Sequence, residues 1–303
     1  MSKLRLAALA VGLAIGVSAC SSTPSANSGS SSGTVITIGS TNFPEQVIVA
    51  NLYADVLQHA GYRTNVRADL GTRQAVVPAL EAGQLDLEPD YAGSLLNFLN
   101  SNATPTAATQ LSTAIPAIKT ILAGKGATVL NAAPALDTNV FAVTKDTASK
   151  YHLSKISDLQ PVASQLVMGG PQECPQNYGC LVGLQQVYGL HFKSFQALDE
   201  AGPITVSALK NGNVQVAELF SSDGNILENG FVQLTDDKHL EAADFVIPVI
   251  RTSVNTSGVA SALNAVSAKL TTDQLSTLNL QVSVNHEDPA TVAKKWAQKE
   301  GLI

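Results

Sequence analysis

Apolar side chains recur at Ile48, Leu52 and Val56, with Val49, Tyr53 and Leu57 beside them. That four-residue spacing predicts a helix with one broad apolar face. Pro44 stands at its first turn, where a missing N–H costs nothing, and Gly61 is placed to end it. Ahead of it, Val35-Ile36-Thr37-Ile38 alternates as a strand does, and behind it Thr64-Asn65-Val66-Arg67 alternates again. Between the first strand and the helix lies GSTNFPEQ, residues 39–46. A short polar loop leaving a strand and opening a helix is where an α/β protein places a ligand.

Strand and helix patterns alternate from Thr34 to the end, which predicts α/β layering. The run Ala79-Leu80-Glu81-Ala82-Gly83-Gln84-Leu85-Asp86-Leu87 is echoed by Ala208-Leu209-Lys210-Asn211-Gly212-Asn213-Val214-Gln215-Val216. Each reads as a helix end, a glycine stop and a buried strand, and in register Tyr91 corresponds to Phe220. Chance recurrence of a common pattern is the competing reading. A true repeat would mean two similar lobes, each sending a strand end into a shared cleft. Asp137-Thr138-Asn139 before Val140-Phe141-Ala142-Val143 marks a crossing into the second lobe, and Pro248-Val249-Ile250-Arg251 marks the return. The expected division is residues 34–137 plus 249–303 for lobe 1 and 138–248 for lobe 2. Helices follow around Val259–Leu270 and from near Thr271. A last one is capped by Asp288-Pro289, with Val292 and Trp296 on its buried face.

Composition changes this picture mainly at the N-terminus. The 303 residues carry a formal charge of −6, and removing the leader's Lys3 and Arg5 takes it to −8. Such a balance gives no electrostatic footprint for nucleic acid. Lys3 and Arg5 precede an apolar run, Leu6 to Val17, too short to span a bilayer comfortably and laid out as a signal peptide over residues 1–19. Val17-Ser18-Ala19-Cys20 resembles a bacterial lipobox, which implies cleavage before Cys20 and its acylation. Ordinary secretion is the alternative. The Ser-rich tail through residue 33 favours a lipid-anchored tether. Cys174 and Cys180 remain, six residues apart in an exported chain, and a disulfide is expected between them.

Catalytic and cofactor patterns are not evident. HExxH, GxSxG, phosphate-loop and GxGxxG motifs do not occur, and His59, His152, His191, His239 and His286 have no metal-ligand spacing. No cofactor, no metal and no enzymatic activity are expected.

The segments GSTNFPEQ, ALEAGQLDLEPDYAGSLL (79–96), GLQQVYGLHFKSFQALD (183–199), ALKNGNVQVAELFSSDG (208–224), LTDDK (234–238) and the C-terminal LNLQVSVNHEDPATVAKKWAQKEGL together resemble the ProX-type substrate-binding proteins of osmoprotectant ABC transporters. The resemblance runs from about Val35 to the C-terminus. It implies a two-lobed Venus flytrap of the periplasmic-binding-protein class II type, hinged by two crossings, which delivers a quaternary amine to a permease driven by an ATPase. In such proteins aromatic faces hold a trimethylammonium group, and cationic side chains clamp a betaine carboxylate.

Carried over residue by residue, the resemblance implies that Tyr91, Ser94 and Asp137 bind ligand. Thr41 stands where the family often has lysine, with Asn42 beside it. Gln172 and Asn177 occupy the segment where an arginine is expected, and Asn139 lacks the aromatic expected near it. The aromatics expected before the return are replaced by Glu241-Ala242-Ala243-Asp244-Phe245. Phe43, Tyr178 and Phe220 are the available substitutes, and Ser222 and Asp223 complete the candidate wall. The expected solute is therefore not a standard glycine betaine but a choline-like cation or a divergent polar or aromatic compound. The expected protein is a monomer on the outer face of the cell membrane, partnered with an ABC permease and ATPase. A sensor or scaffold on the same fold and, more remotely, an exported enzyme are the alternatives.

Overall fold

The computed structural model describes residues 35–100 and 108–303. The leader, Cys20 and the tether lie outside these residues. The first strand, β1 (Ile36–Gly39), leads into α1 (Pro44–His59), whose predicted apolar positions are all buried. Then follow β2 (Thr64–Arg67), α2 (Arg73–Glu81), β3 (Leu87–Tyr91), α3 (Ala92–Leu99), α4 (Leu111–Ala123) and β4 (Ala127–Val129). The chain next builds β5 (Asn139–Val143), α5 (Lys145–Tyr151), β6 (Val167–Pro171), α6 (Gly183–Tyr188), β7 (Ser194–Leu198), α7 (Pro203–Lys210), β8 (Val216–Phe220), α8 (Gly224–Asn229) and β9 (Val232–Gln233). It returns through β10 (Val246–Arg251) and ends in α9 (Ser257–Lys269), α10 (Thr272–Asn279) and α11 (Pro289–Lys299). Asp288 caps α11 as expected, accepting the Thr291 N–H, and Trp296 packs in the core.

These strands make two five-stranded sheets, ordered β2-β1-β3-β10-β4 and β7-β6-β8-β5-β9. In each, the first three strands are mutually parallel and the fourth runs antiparallel to its neighbours on both sides. The echoed segments occupy equivalent places: α2 and α7 run into the central strands β3 and β8. Gly83 and Gly212 after those helices have φ of +74° and +73°, a left-handed turn that side chains disfavour. Separate apolar clusters cover the faces of each sheet, so each lobe has its own core.

Two crossings join the sheets and run side by side. Val246 donates its N–H to the Ala135 carbonyl and Asp137 donates to that of Asp244, at 3.0 and 2.9 Å. The returning strand pairs with the first sheet from Val246 onward, so it enters that sheet before the expected boundary at 249. The C-terminal segment also reaches the second sheet's helices. A Cβ on Gly224, at the start of α8, would lie 2.5 Å from the Leu280 backbone.

Candidate functional site

β3 and β8 end in Tyr91 and Phe220, and the Phe43 ring from the loop before α1 packs edge-on against both. The GSTNFPEQ loop is held by its own helix. Thr41 sends both its N–H and its hydroxyl to Gln46 Oε1, at 3.1 and 2.9 Å. That ties the residue standing in the lysine position into the loop. Asn42 is exposed.

Behind the aromatic rings lies a buried polar chain. Tyr91 donates its hydroxyl to Glu45 Oε1 at 2.8 Å. Asn279 donates to the other Glu45 oxygen and to the Ser222 carbonyl. Ser222 donates its hydroxyl to Asp137 Oδ1 at 2.6 Å. Burial is the main cause that raises the Glu45 carboxyl above its ordinary range, opposed by these hydrogen bonds. Burial also lifts Asp137 well above its range, reinforced by the nearby Glu45.

Where the crossings meet α3, a cavity of about 410 Å³ opens between the lobes. Ser94, Asn139, Tyr178, Gly179, Glu241 and Asp244 are among its walls. Ser94 donates its N–H and its hydroxyl to Asp244, at 2.6 and 2.7 Å. Burial raises both Glu241 and Asp244 above the ordinary carboxylate range, Glu241 strongly. Among the described residues, no lysine, arginine or histidine lines this cavity. The nearby guanidinium of Arg73 is spent on Asp90, which it holds at 2.8 Å. The arrangement therefore offers acceptors and negative charge, and no clamp for an anion.

The sequence-predicted residues divide into groups. Ser94 and Asn139 reach the cavity, and Tyr91, Phe43, Ser222 and Asp137 form the aromatic and buried layer next to it. Asp223 caps α8, accepting the Asn225 N–H at 2.8 Å, and faces a second cavity of about 230 Å³ beside Phe43 and Phe220. Gln172 is exposed and lines neither of these two cavities. Cys174 and Cys180 are bonded, with Cα atoms 5.1 Å apart. Their loop brings Asn177, Tyr178 and Gly179 to the cavity wall.

Sequence reasoning missed Glu45, Glu241 and Asp244 as site residues. Glu45 reads as an acid complementing the dipole at a helix start, and nothing local shows that Tyr91 covers it. Glu241 and Asp244 were visible only as the absence of aromatics. The replacement itself was the available signal.

The family model for the substrate binding domain of ABC-type glycine betaine transport systems matches residues 34–299. Glycine betaine-binding protein YehZ of Escherichia coli (strain K12) is 25% identical over 277 residues, covering 88% of this chain and 90% of that protein. Carnitine transport binding protein OpuCC of Listeria monocytogenes serotype 1/2a (strain 10403S) is 25% identical over 292 residues, covering 91% and 90%. Among solved structures, a glycine betaine/carnitine/choline ABC transporter protein superposes with a TM-score of 0.82 at 22% identity, covering 88% of this chain and 99% of that one. Apo YehZ superposes at 0.79 with 24% identity, covering 89% and 100%. At these identities the superpositions show a common two-lobed fold.

Proposed function

Since the chain belongs to the family of substrate-binding domains of ABC-type glycine betaine transport systems, we propose that it captures a small cationic solute without a carboxylate and presents it to an importer. This family consists of transport substrate-binding proteins and is not an enzyme family. The observation that carries the ligand reading is the charge of the cavity: Glu241 and Asp244 line it, and among the described residues no basic side chain does. A betaine would meet two carboxylates with its own, and like charges at close range repel. A cation would instead bring both acids back toward their charged forms.

The lobes would close as a hinge about the paired crossings, with ligand favouring the closed state by touching both. Asn139 and Tyr178 from the second sheet's lobe and Ser94 from the first are placed for that. Acylation at Cys20 would tether a monomer to the outer face of the membrane beside its permease and ATPase.

Calorimetry on the purified protein tests the ligand reading. Choline should bind more tightly than glycine betaine; low-micromolar binding of glycine betaine would overturn it. Thermal shift gives a second readout, since ligand at a hundredfold over its Kd adds about 2.7 kcal/mol of stability.

A further inference from the structure

The acids around the cleft are not equivalent. Asp244 receives both hydrogen bonds of Ser94, so it fixes the start of α3 as well as facing the cavity. Asp137 is held by Ser222, and Glu45 by Tyr91 and Asn279. Glu241 differs from all three. It is only 9% exposed, its backbone N–H is used on Asp236, and it lines the cavity. Its Oε2 faces Gly179 and the Asn139 amide, and its Oε1 has no hydrogen-bond partner. A buried carboxylate oxygen left without a donor is uncommon in a folded protein and calls for one from outside the chain.

The walls decide what kind of donor. Among the described residues Tyr178 is the one aromatic lining this cavity, and it is 42% exposed. Phe43, Tyr91 and Phe220 pack on one another and do not line it. A trimethylammonium group has no N–H and draws its affinity from several aromatic faces. Here it would find one, and it would leave the Glu241 oxygen unpaired. An ammonium or guanidinium group can place N–H donors on that oxygen in charge-assisted hydrogen bonds, about 2.7–2.9 Å long. Asp244 gives a further carboxylate on the same walls.

We infer that the cavity selects a cation bearing N–H donors, a primary ammonium or guanidinium group directed at Glu241, over a trimethylammonium cation. This rests on the cation-binding reading above and narrows it. Glu241, standing where the family resemblance leads one to expect an aromatic, is the specificity-determining residue.

Calorimetry with a methylation series tests it: ethanolamine, its N-methyl and N,N-dimethyl forms and choline, with agmatine as the guanidinium probe and glycine betaine as the zwitterion. The expected result is affinity falling with each methyl group, about tenfold or more between ethanolamine and choline. Agmatine should bind at least as tightly as ethanolamine. Glu241→Gln should abolish the ordering while keeping the melting temperature of the free protein, and Glu241→Tyr should turn the preference toward choline. Should either variant fail to fold, the series on the unaltered protein decides alone. Choline binding more tightly than ethanolamine and agmatine would overturn the N–H inference and leave the cation reading standing. Glycine betaine binding more tightly than every cation would overturn both, as would no detectable binding of any probe at millimolar concentration.

Discussion

Tyr91, at the end of β3, donates its hydroxyl across 2.8 Å to Glu45 in the first turn of α1, 46 residues away in sequence. The bond joins the central strand to the loop that carries Phe43. It also gives the buried Glu45 a side-chain partner, alongside Asn279. Tyr91→Phe keeps the ring contact with Phe43 and removes only the donor. Unfolding in urea should show a loss of about 1–3 kcal/mol, the cost of stripping one partner from a buried acceptor. An unchanged midpoint would mean that water replaces the phenol and that the bond is not structural.

Glu218 supplies a pH dependence of known sign. Its carboxyl is pushed up to about 8, first by burial and then by Glu173 and Glu200, and its Oε2 lies 2.8 Å from Cys180 Sγ. The folded value exceeds the unfolded one, so between about pH 4.5 and 8 the folded state holds more protons. The contribution is full below the unfolded value and is lost as pH rises through the folded one. The free protein should melt at a higher temperature near pH 5 than near pH 8, with Glu218 accounting for at most a few kcal/mol. Glu218→Gln should flatten that part of the profile. A variant with the same slope would assign it to other acids.

The cystine between Cys174 and Cys180 closes the loop that presents Asn177, Tyr178 and Gly179 to the cavity. Cys174→Ser with Cys180→Ser should lower stability by about 2–3 kcal/mol through the freed loop. It should also weaken solute binding, because part of the second lobe's wall is no longer fixed. Reduction of the unaltered protein under native conditions, followed by calorimetry, should reproduce the loss of affinity. Equal affinities before and after reduction would mean that neighbouring packing holds the loop.

Gly93 fits where the return crossing presses on α3. A Cβ there would lie 2.7 Å from the Ala108 carbonyl oxygen and 3.0 Å from the Ala243 nitrogen. Both are backbone atoms and cannot swing aside. Gly93→Ala should cost about 1–3 kcal/mol and, by displacing the neighbouring Ser94–Asp244 contact, reduce affinity as well. Thermal melting and calorimetry together separate the two effects.

The parts of this molecule legible in its sequence were those set by local chemistry. The spacing of Ile48, Leu52 and Val56 located α1, Asp288-Pro289 located the start of α11, and the glycines at 83 and 212 sit at matching turns of two matching sheets. The site was less legible, because its members come from distant segments. Ser94 and Asp244 meet across 150 residues and Glu45 and Asn279 across 234. A burial-dependent property such as the raised Glu241 carboxyl has no local signature. An acid on an exposed turn and an acid in a cleft have the same letter, and only the two crossings running side by side put Glu241 beneath the lobes.

Solute binding should release protons if the solute is a cation. Glu241 is held well above the ordinary carboxylate range, by burial first and then by Glu218, Asp236 and Asp244, while Asn139 opposes the shift. Those three acids are the charged neighbours that influence it, so the free cavity holds this proton more tightly than an exposed carboxylate would. An incoming cation favours the ionised form and lowers the value. Protons should therefore leave as solute binds, up to about one per solute, and affinity should rise with pH through the window above the ordinary carboxylate range. Titrations in two buffers of different ionisation enthalpy read the proton count directly, and Glu241→Gln should reduce it. A neutral polyol or phenol would bind to the protonated carboxyl with no release and a flat pH profile. That result would reassign the cavity from a charge-recognition site to one for hydroxylated solutes.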